Sequence, residues 1–312
     1  MKAPQKILFF RLDARVGDCI VHLFFLRELK KLFPNTHITV ATFAPSEVFF
    51  QNNPFVDEVK VLPKLAANDS YLRPAVLWGL LKMLVHSRTA GYDYIIVNPV
   101  RATWRNKLYC HLLPRTLWPQ FDYTKHITHS YAQFLRQLGA KEVDTSYALD
   151  LPVDAKNYAQ QFLHENNLQP GQFWIVNPVG SSPARNCSAQ QIQTLIKTIS
   201  QAGHKVVLLD YQNQFASLHL PCPRYTAHAI FQTAALIEQA SAVVTVDTGI
   251  VHLVDCFHKK MFVLYAADHY SLNHNRVFWA SRQDTTRFLQ GTNTVQDIPV
   301  TQIEQMLKRE FL

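Results

Sequence analysis

The chain has 312 residues, 48% of them hydrophobic, and a formal net charge of +8. That length suits two domains of ordinary size with real cores, and no apolar run approaches the ~20 residues that span a bilayer. Five scattered cysteines with no C-x-x-C pair, and histidines with neither H-x-x-x-H nor H-E-x-x-H spacing, argue against a disulfide framework or a zinc site.

Residues 6–12 read as a first strand. A polar loop ending Arg15-Val16-Gly17-Asp18 leads into an amphipathic helix over about 18–33, stopped by Pro34-Asn35. Strands are predicted at 37–43, 57–62 and 93–98, with helices at 45–52, 72–89, 103–112 and 127–139. Strands alternating with helices predict a parallel sheet wound on both sides. Residues 151–171, with Pro152 and Pro170-Gly171 near the ends, read as a linker containing one helix. The alternation then repeats. Strands are expected at 173–177, 204–209, 242–246 and 260–265, and helices at 188–201, 230–240 and 299–310. The polar region 266–296 carries no clear periodicity. The boundaries expected are 1–152 for an N-terminal domain and 153–312 for a C-terminal one.

Two turns carry chemistry. The run Val243-Val244-Thr245-Val246 stops at Asp247-Thr248-Gly249-Ile250-Val251-His252. Asp247 or Thr248 is placed to cap the following helix, and Gly249 lets a ligand approach the backbone closely. The turn reads either as a capped strand-to-helix joint or as a diphosphate site built on backbone N–H groups. Asp18 reads in the same two ways. It is a helix N-cap, or a general base at the mouth of a cleft. His252, one turn into its helix, reads as packing rather than catalysis.

The order of three segments resembles the ADP-heptose:lipopolysaccharide heptosyltransferases, glycosyltransferase family nine. They are Gly17-Asp18 after the first strand, Asn177-Pro178-Val179-Gly180-Ser181-Ser182-Pro183-Ala184-Arg185 opening the second half, and Asp247 to His252. Val179 and Cys187-Ser188 stand where that family usually has Gly and Trp-Pro. The resemblance covers nearly the whole chain and implies the GT-B fold, α/β, with two Rossmann-like doubly wound domains facing across a cleft. It implies an inverting, metal-independent transfer of heptose from an ADP-sugar donor in the C-terminal half to an acceptor on the N-terminal half, with no cofactor. By the same resemblance Asp18 is the catalytic base. Arg185 carries the positive charge for the leaving diphosphate, and Thr248, Gly249 and Ile250 supply backbone N–H groups. Asp247 holds donor-sugar hydroxyls. Arg15 and Arg101 are weaker acceptor-binding candidates, and Asp210 or Gln212 is a candidate ribose contact that the resemblance does not align. Another nucleotide sugar or acceptor, or a sugar-nucleotide epimerase on the same architecture, remains an alternative.

Charge is uneven. Residues 1–150 carry 19 basic against 12 acidic side chains, and 151–312 carry 12 against 11. A basic N-terminal half suits an anionic partner. No recognition helix or aromatic RNA-binding motif points to nucleic acid. The expected acceptor is an anionic Kdo/heptose-lipid A. The amino-terminal sequence lacks the cleavage pattern of a secretory signal. The expected location is therefore the cytoplasm, in peripheral contact with the inner membrane.

Overall fold

A computed structural model describes residues 3–11, 16–44, 46–51, 53–62, 74–98, 108, 111–211, 213–267 and 276–312. Arg15, Arg101 and Gln212 lie outside the described residues. The chain divides into two compact units, Met1–Ala148 with Tyr270–Trp279, and Leu149–His269 with Ala280–Leu312.

The first unit is built on five parallel strands: β1 (Lys6–Arg11), β2 (His37–Phe43), β3 (Glu58–Leu62), β4 (Tyr94–Asn98) and the short β5 (Thr116–Leu117), in the order β3-β2-β1-β4-β5. Strand β1 is buried from Ile7 to Arg11, as expected of a parallel strand covered on both faces. Helix α1 (Val16–Leu32) follows it. Its residues from Cys19 to Leu26 are all buried, because helix α4 (Ile127–Gln137) covers the side turned from the sheet. Tyr131 of α4 packs edge-on against Phe24 and at a tilt against Phe25. Helix α1 starts two residues before Asp18, so Asp18 sits inside the first turn and is not the N-cap. A carboxylate there still favours the positive helix end. Between these helices come α2 (Val48–Gln51) and α3 (Pro74–Thr89).

The second unit begins with α5 (Val153–Glu165), within the segment read as a linker. This helix is an integral part of the unit. Tyr158 Oη donates to the Thr226 carbonyl at 2.8 Å, and Phe162 packs on Tyr225 with ring centroids 4.8 Å apart. Six parallel strands follow the order β11-β10-β9-β6-β7-β8. They are β6 (Phe173–Asn177), β7 (Lys205–Leu209), β8 (Arg224–Tyr225), β9 (Ala242–Val246), β10 (Lys260–Tyr265) and β11 (Thr286–Gln290), joined by α6 (Ala189–Gln201), α7 (Ile230–Gln239) and α8 (Ile250–Cys256). Strand β11 lies in the stretch that showed no periodicity. It is an edge strand, only partly buried, so its sequence Thr-Arg-Phe-Leu-Gln carries no apolar run. The short helix α9 (Arg276–Trp279) belongs to the first unit, where the buried Phe278 packs on Phe121 and Tyr123. Helix α10 (Val300–Glu310) closes the second core through Ile303 and Leu307.

Candidate active site

Each sheet is extended in opposite directions from its first strand. In the first, β2 and β4 flank β1; in the second, β7 and β9 flank β6. Ligands of open α/β sheets bind at such switch points, beyond the carboxyl ends of the strands.

At the second switch point Asn177, last residue of β6, lies in register with Thr245 of β9. Asn177 is 1% exposed. Its Nδ2 donates to Thr245 Oγ1 at 2.9 Å and lies 3.4 Å from the Val179 carbonyl and 3.5 Å from Thr248 Oγ1. It therefore ties the loop after β6 to the loop after β9. Its Oδ1 is buried without a partner among the described residues. Sequence reasoning missed this residue. The available signal was an amide closing the otherwise apolar run Phe173-Trp174-Ile175-Val176.

The loop after β6 is closed by a hydrogen bond from Cys187 N to the Pro178 carbonyl at 2.9 Å, and Gly180 N donates to Asn186 Oδ1 at 2.9 Å. A 3-10 turn, Pro183–Arg185, then aims Arg185 at the second loop. Gly180 suits this turn, because a Cβ there would collide with the Cβ of Arg185 and press on its carbonyl. Ser188, standing where the family usually has Pro, caps α6. Its Oγ accepts from Gln191 N at 3.2 Å while its own N–H donates to Gln191 Oε1 at 2.9 Å.

Arg185 Nη1 lies 3.3 Å from Asp247 Oδ2, 3.4 Å from the Asp247 carbonyl and 3.2 Å from Ser181 Oγ. The two side chains of the ion pair are 18% and 25% exposed. The loops after β6 and β9, 62 residues apart in sequence, thus meet through one guanidinium. Gly249, and neither Asp247 nor Thr248, holds the N-cap position, and Thr248 Oγ1 accepts from Ile250 N, the first helical residue, at 3.1 Å. This occupies the Ile250 N–H. Among the described residues the Thr248 and Gly249 N–H groups have no acceptor. His252 is buried, and desolvation, then the charge of Arg282, lowers its pKa to about 4, so it is neutral at physiological pH. Asp255, one turn from Val251, accepts from Gln283 Nε2 at 2.8 Å and from Ser281 Oγ; burial raises its pKa to about 6.

Asp210, a candidate ribose contact, is engaged within its own loop. It is fully buried, with Oδ1 accepting from Gln214 N at 2.8 Å and Oδ2 from Phe215 N at 3.3 Å. Its carboxylate holds the loop after β7.

At the first switch point Arg11 ends β1 in register with Asn98 of β4. Arg11 is fully buried, donating from Nη1 to Cys19 Sγ at 2.8 Å and Thr42 Oγ1 at 3.2 Å. Asp18 is buried in the first turn of α1. One turn later the buried His22 receives two partners at Nε2, Tyr131 Oη at 2.8 Å and Asn98 Nδ2 at 2.9 Å. Burial first, then the Arg11 charge, holds the His22 pKa well below its usual value, so this ring is neutral. Asn98, like Asn177, has a buried Oδ1 with no partner among the described residues. Among the described residues no group of three or more His, Cys, Asp or Glu side chains is placed to hold a metal ion.

No protein-family model matches the chain. The curated "Putative lipopolysaccharide heptosyltransferase 4" of Escherichia coli (strain K12) is 20% identical over 321 residues, covering 95% of this chain and 84% of that protein. The crystal structure of the glycosyl transferase family 9 from Veillonella parvula DSM 2008 superposes with a TM-score of 0.79 at 18% identity, covering 99% of this chain and 97% of that one. The E. coli ADP-heptose lps heptosyltransferase II gives 0.70 at 17% identity, with 97% of each chain covered. An E. coli heptosyltransferase with ADP-2-deoxy-2-fluoro heptose gives 0.69 at 14%, covering 97% of this chain and 99% of that one. The likeness thus extends over nearly the whole chain, and the chain has the GT-B fold of these proteins, with two parallel-sheet α/β units.

Proposed function

We propose that this protein transfers a heptose from an ADP-heptose donor to the inner core of a lipopolysaccharide or lipooligosaccharide acceptor, inverting the anomeric carbon. The observation that carries this reading is the meeting of Arg185 and the Asp247-Thr248-Gly249 loop at the switch point of the second sheet. A cation, backbone donors and an acid converge where a nucleotide sugar binds in open α/β sheets.

Arg185 stabilises the charge that develops on the departing diphosphate, aided by the Thr248 and Gly249 N–H groups. Asp247 takes hydroxyls of the donor sugar, a role suited to an acid and not to phosphate. Asp18 accepts the proton of the acceptor hydroxyl as its oxygen attacks the anomeric carbon. The bond from that carbon to the diphosphate oxygen breaks with its electron pair on ADP. The products are the glycosylated acceptor, ADP and the proton held by Asp18. The acceptor is an anionic glycolipid, matched by the basic N-terminal half, and the protein meets its membrane peripherally. No helix among the described residues is long and apolar enough to cross a membrane.

The test is transfer from ADP-heptose to a Kdo-bearing lipid A precursor by the parent protein and by Asp18→Asn. The substitution keeps shape and charge-free hydrogen bonding, so folding and ADP binding should persist while turnover falls at least ~100-fold. Near-normal turnover would return Asp18 to a purely structural role in the first turn of α1. Consumption of the donor to an epimer without acceptor would instead favour an epimerase.

A further inference from the structure

Helix α3 (Pro74–Thr89) is apolar on two sides. Its inner side packs Leu80, Met83 and Leu84 against the core of the first unit around Leu8, Phe10 and Phe43. Its outer side leaves Leu77, Trp78, Leu81 and Val85 46%, 59%, 48% and 55% exposed. Positions 77, 81 and 85 recur every four residues, so they form one stripe along the helix, with Trp78 beside it. Leu112, also exposed, extends the stripe at the helix end, where its carbonyl accepts from Arg88 Nη2 at 2.7 Å. The charged residues of this helix are Lys82 and Arg88, both basic, and it has no acid. The Lys82 ammonium lies 5.4 Å from the centre of the Trp78 ring.

Single exposed apolar residues are ordinary, but a contiguous stripe marks an interaction surface. Four half-exposed side chains fall well short of the about 800 Å² per partner of a stable protein interface. Two copies meeting here would also oppose like charges. A bilayer demands no shape match. A helix lying in the interface buries its apolar side in the headgroup–acyl boundary, Trp favours that depth, and Lys stretches its stem along apolar surface while keeping its ammonium wet. Basic flanks with no acid select anionic headgroups.

We propose that α3 docks the protein on an anionic phospholipid bilayer, with Leu77, Trp78, Leu81 and Val85 inserted and Lys82 and Arg88 at the headgroups. This deepens the peripheral contact proposed above and rests on that reading for its biological sense. The experiment is co-sedimentation of the full chain with phosphatidylglycerol/phosphatidylethanolamine vesicles and with phosphatidylcholine vesicles at low salt. The parent protein should favour the anionic vesicles. Leu81→Glu/Val85→Glu should partition at least about ten-fold less well, with an unchanged melting temperature and unchanged protection by ADP-heptose. Trp78 emission, read as the difference between the parent and Trp78→Phe, should shift to the blue on adding anionic vesicles. Equal binding by the double variant, no binding by the parent, or no vesicle-induced shift from Trp78 would overturn the proposal. The Trp78 measurement decides should the double variant fail to fold. Dissociation of a dimer by the double variant with vesicle binding unchanged would assign the stripe to a second copy and overturn it too. Absence of donor protection in all the proteins alike would strike the glycosyl-transfer reading while leaving the vesicle result standing.

Discussion

The Arg185–Asp247 pair makes a prediction in which the two partners act in opposite directions. Arg185 Nη1 is 3.3 Å from Asp247 Oδ2, with each side chain about four-fifths removed from solvent. Fully exposed pairs contribute about 0–1 kcal/mol and hydrogen bonds to charged groups about 1.5–3 kcal/mol, so this partly covered contact is worth roughly 1–1.5 kcal/mol. A diphosphate that recruits Arg185 must loosen it, and must also approach the Asp247 carboxylate. Asp247→Asn should therefore tighten ADP binding roughly 5–10-fold, since 1.4 kcal/mol is tenfold in Kd. Arg185→Ala should weaken ADP binding at least ~10-fold, through loss of a charge-assisted contact. Calorimetric titration with ADP and with adenosine measures both effects, and adenosine should respond little to either change. In the double variant the gain from Asp247→Asn should vanish, because the guanidinium it released is gone. Weakened ADP binding in Asp247→Asn, or equal losses for ADP and adenosine in Arg185→Ala, would refute the reasoning and make the pair a structural clasp alone.

Two further outcomes follow from the second unit. Gly180→Ala forces its Cβ against the Cβ of Arg185. It should cost about 1–3 kcal/mol in stability and lower ADP affinity towards that of Arg185→Ala; unchanged affinity would mean the turn yields without moving the guanidinium. Asp255→Asn should stabilise the protein at neutral pH. Burial raises the Asp255 pKa from 3.8 to about 6, so between those values the folded state holds more protons than the unfolded state and stability falls as pH rises. Removing the ionisable group should give no gain below about pH 4 and a gain growing to at most about 3 kcal/mol above pH 6. His252 works in the other direction, losing stability as pH falls from 6.5 towards about 4. That contribution is common to both proteins, so the difference between their denaturant midpoints across pH isolates Asp255. A pH-independent difference would contradict the assignment.

What was legible in the sequence was what local pattern determines. The strands at 37–43, 173–177, 242–246 and 260–265 are observed over the residues expected, because buried parallel strands are apolar runs with sharp ends. Asp18 was misplaced as a cap because the preceding Val16-Gly17 carries no helical signal, yet α1 includes them. Strand β11 was missed because an edge strand needs no apolar run. At the candidate site, Arg185, Asp247 and Thr248 stood out in the sequence, but the pairing of Arg185 with Asp247 did not, since a contact across 62 residues depends on which strands become neighbours. Asn98 and Asn177 were passed over because an amide at a strand end reads as a turn residue. Only the switch-point topology makes each of them a buried hinge of the polar network. Asp210 shows the converse. Its position after a strand suggested a ligand, while two loop N–H groups had already claimed its oxygens.

The central claim is that the second unit holds an ADP-sugar through Arg185. The most direct measurement is thermal protection of the purified protein by a panel of nucleotide sugars, ADP-heptose among them, on the parent and on Arg185→Ala. A ligand at 100 times its Kd stabilises by about 2.7 kcal/mol. ADP-heptose should raise the parent's melting temperature more than UDP-, GDP- or CDP-sugars do, and most of that rise should disappear in Arg185→Ala. Preferential protection by a nucleotide sugar with another base, or protection by ADP-heptose that survives Arg185→Ala intact, would contradict the account.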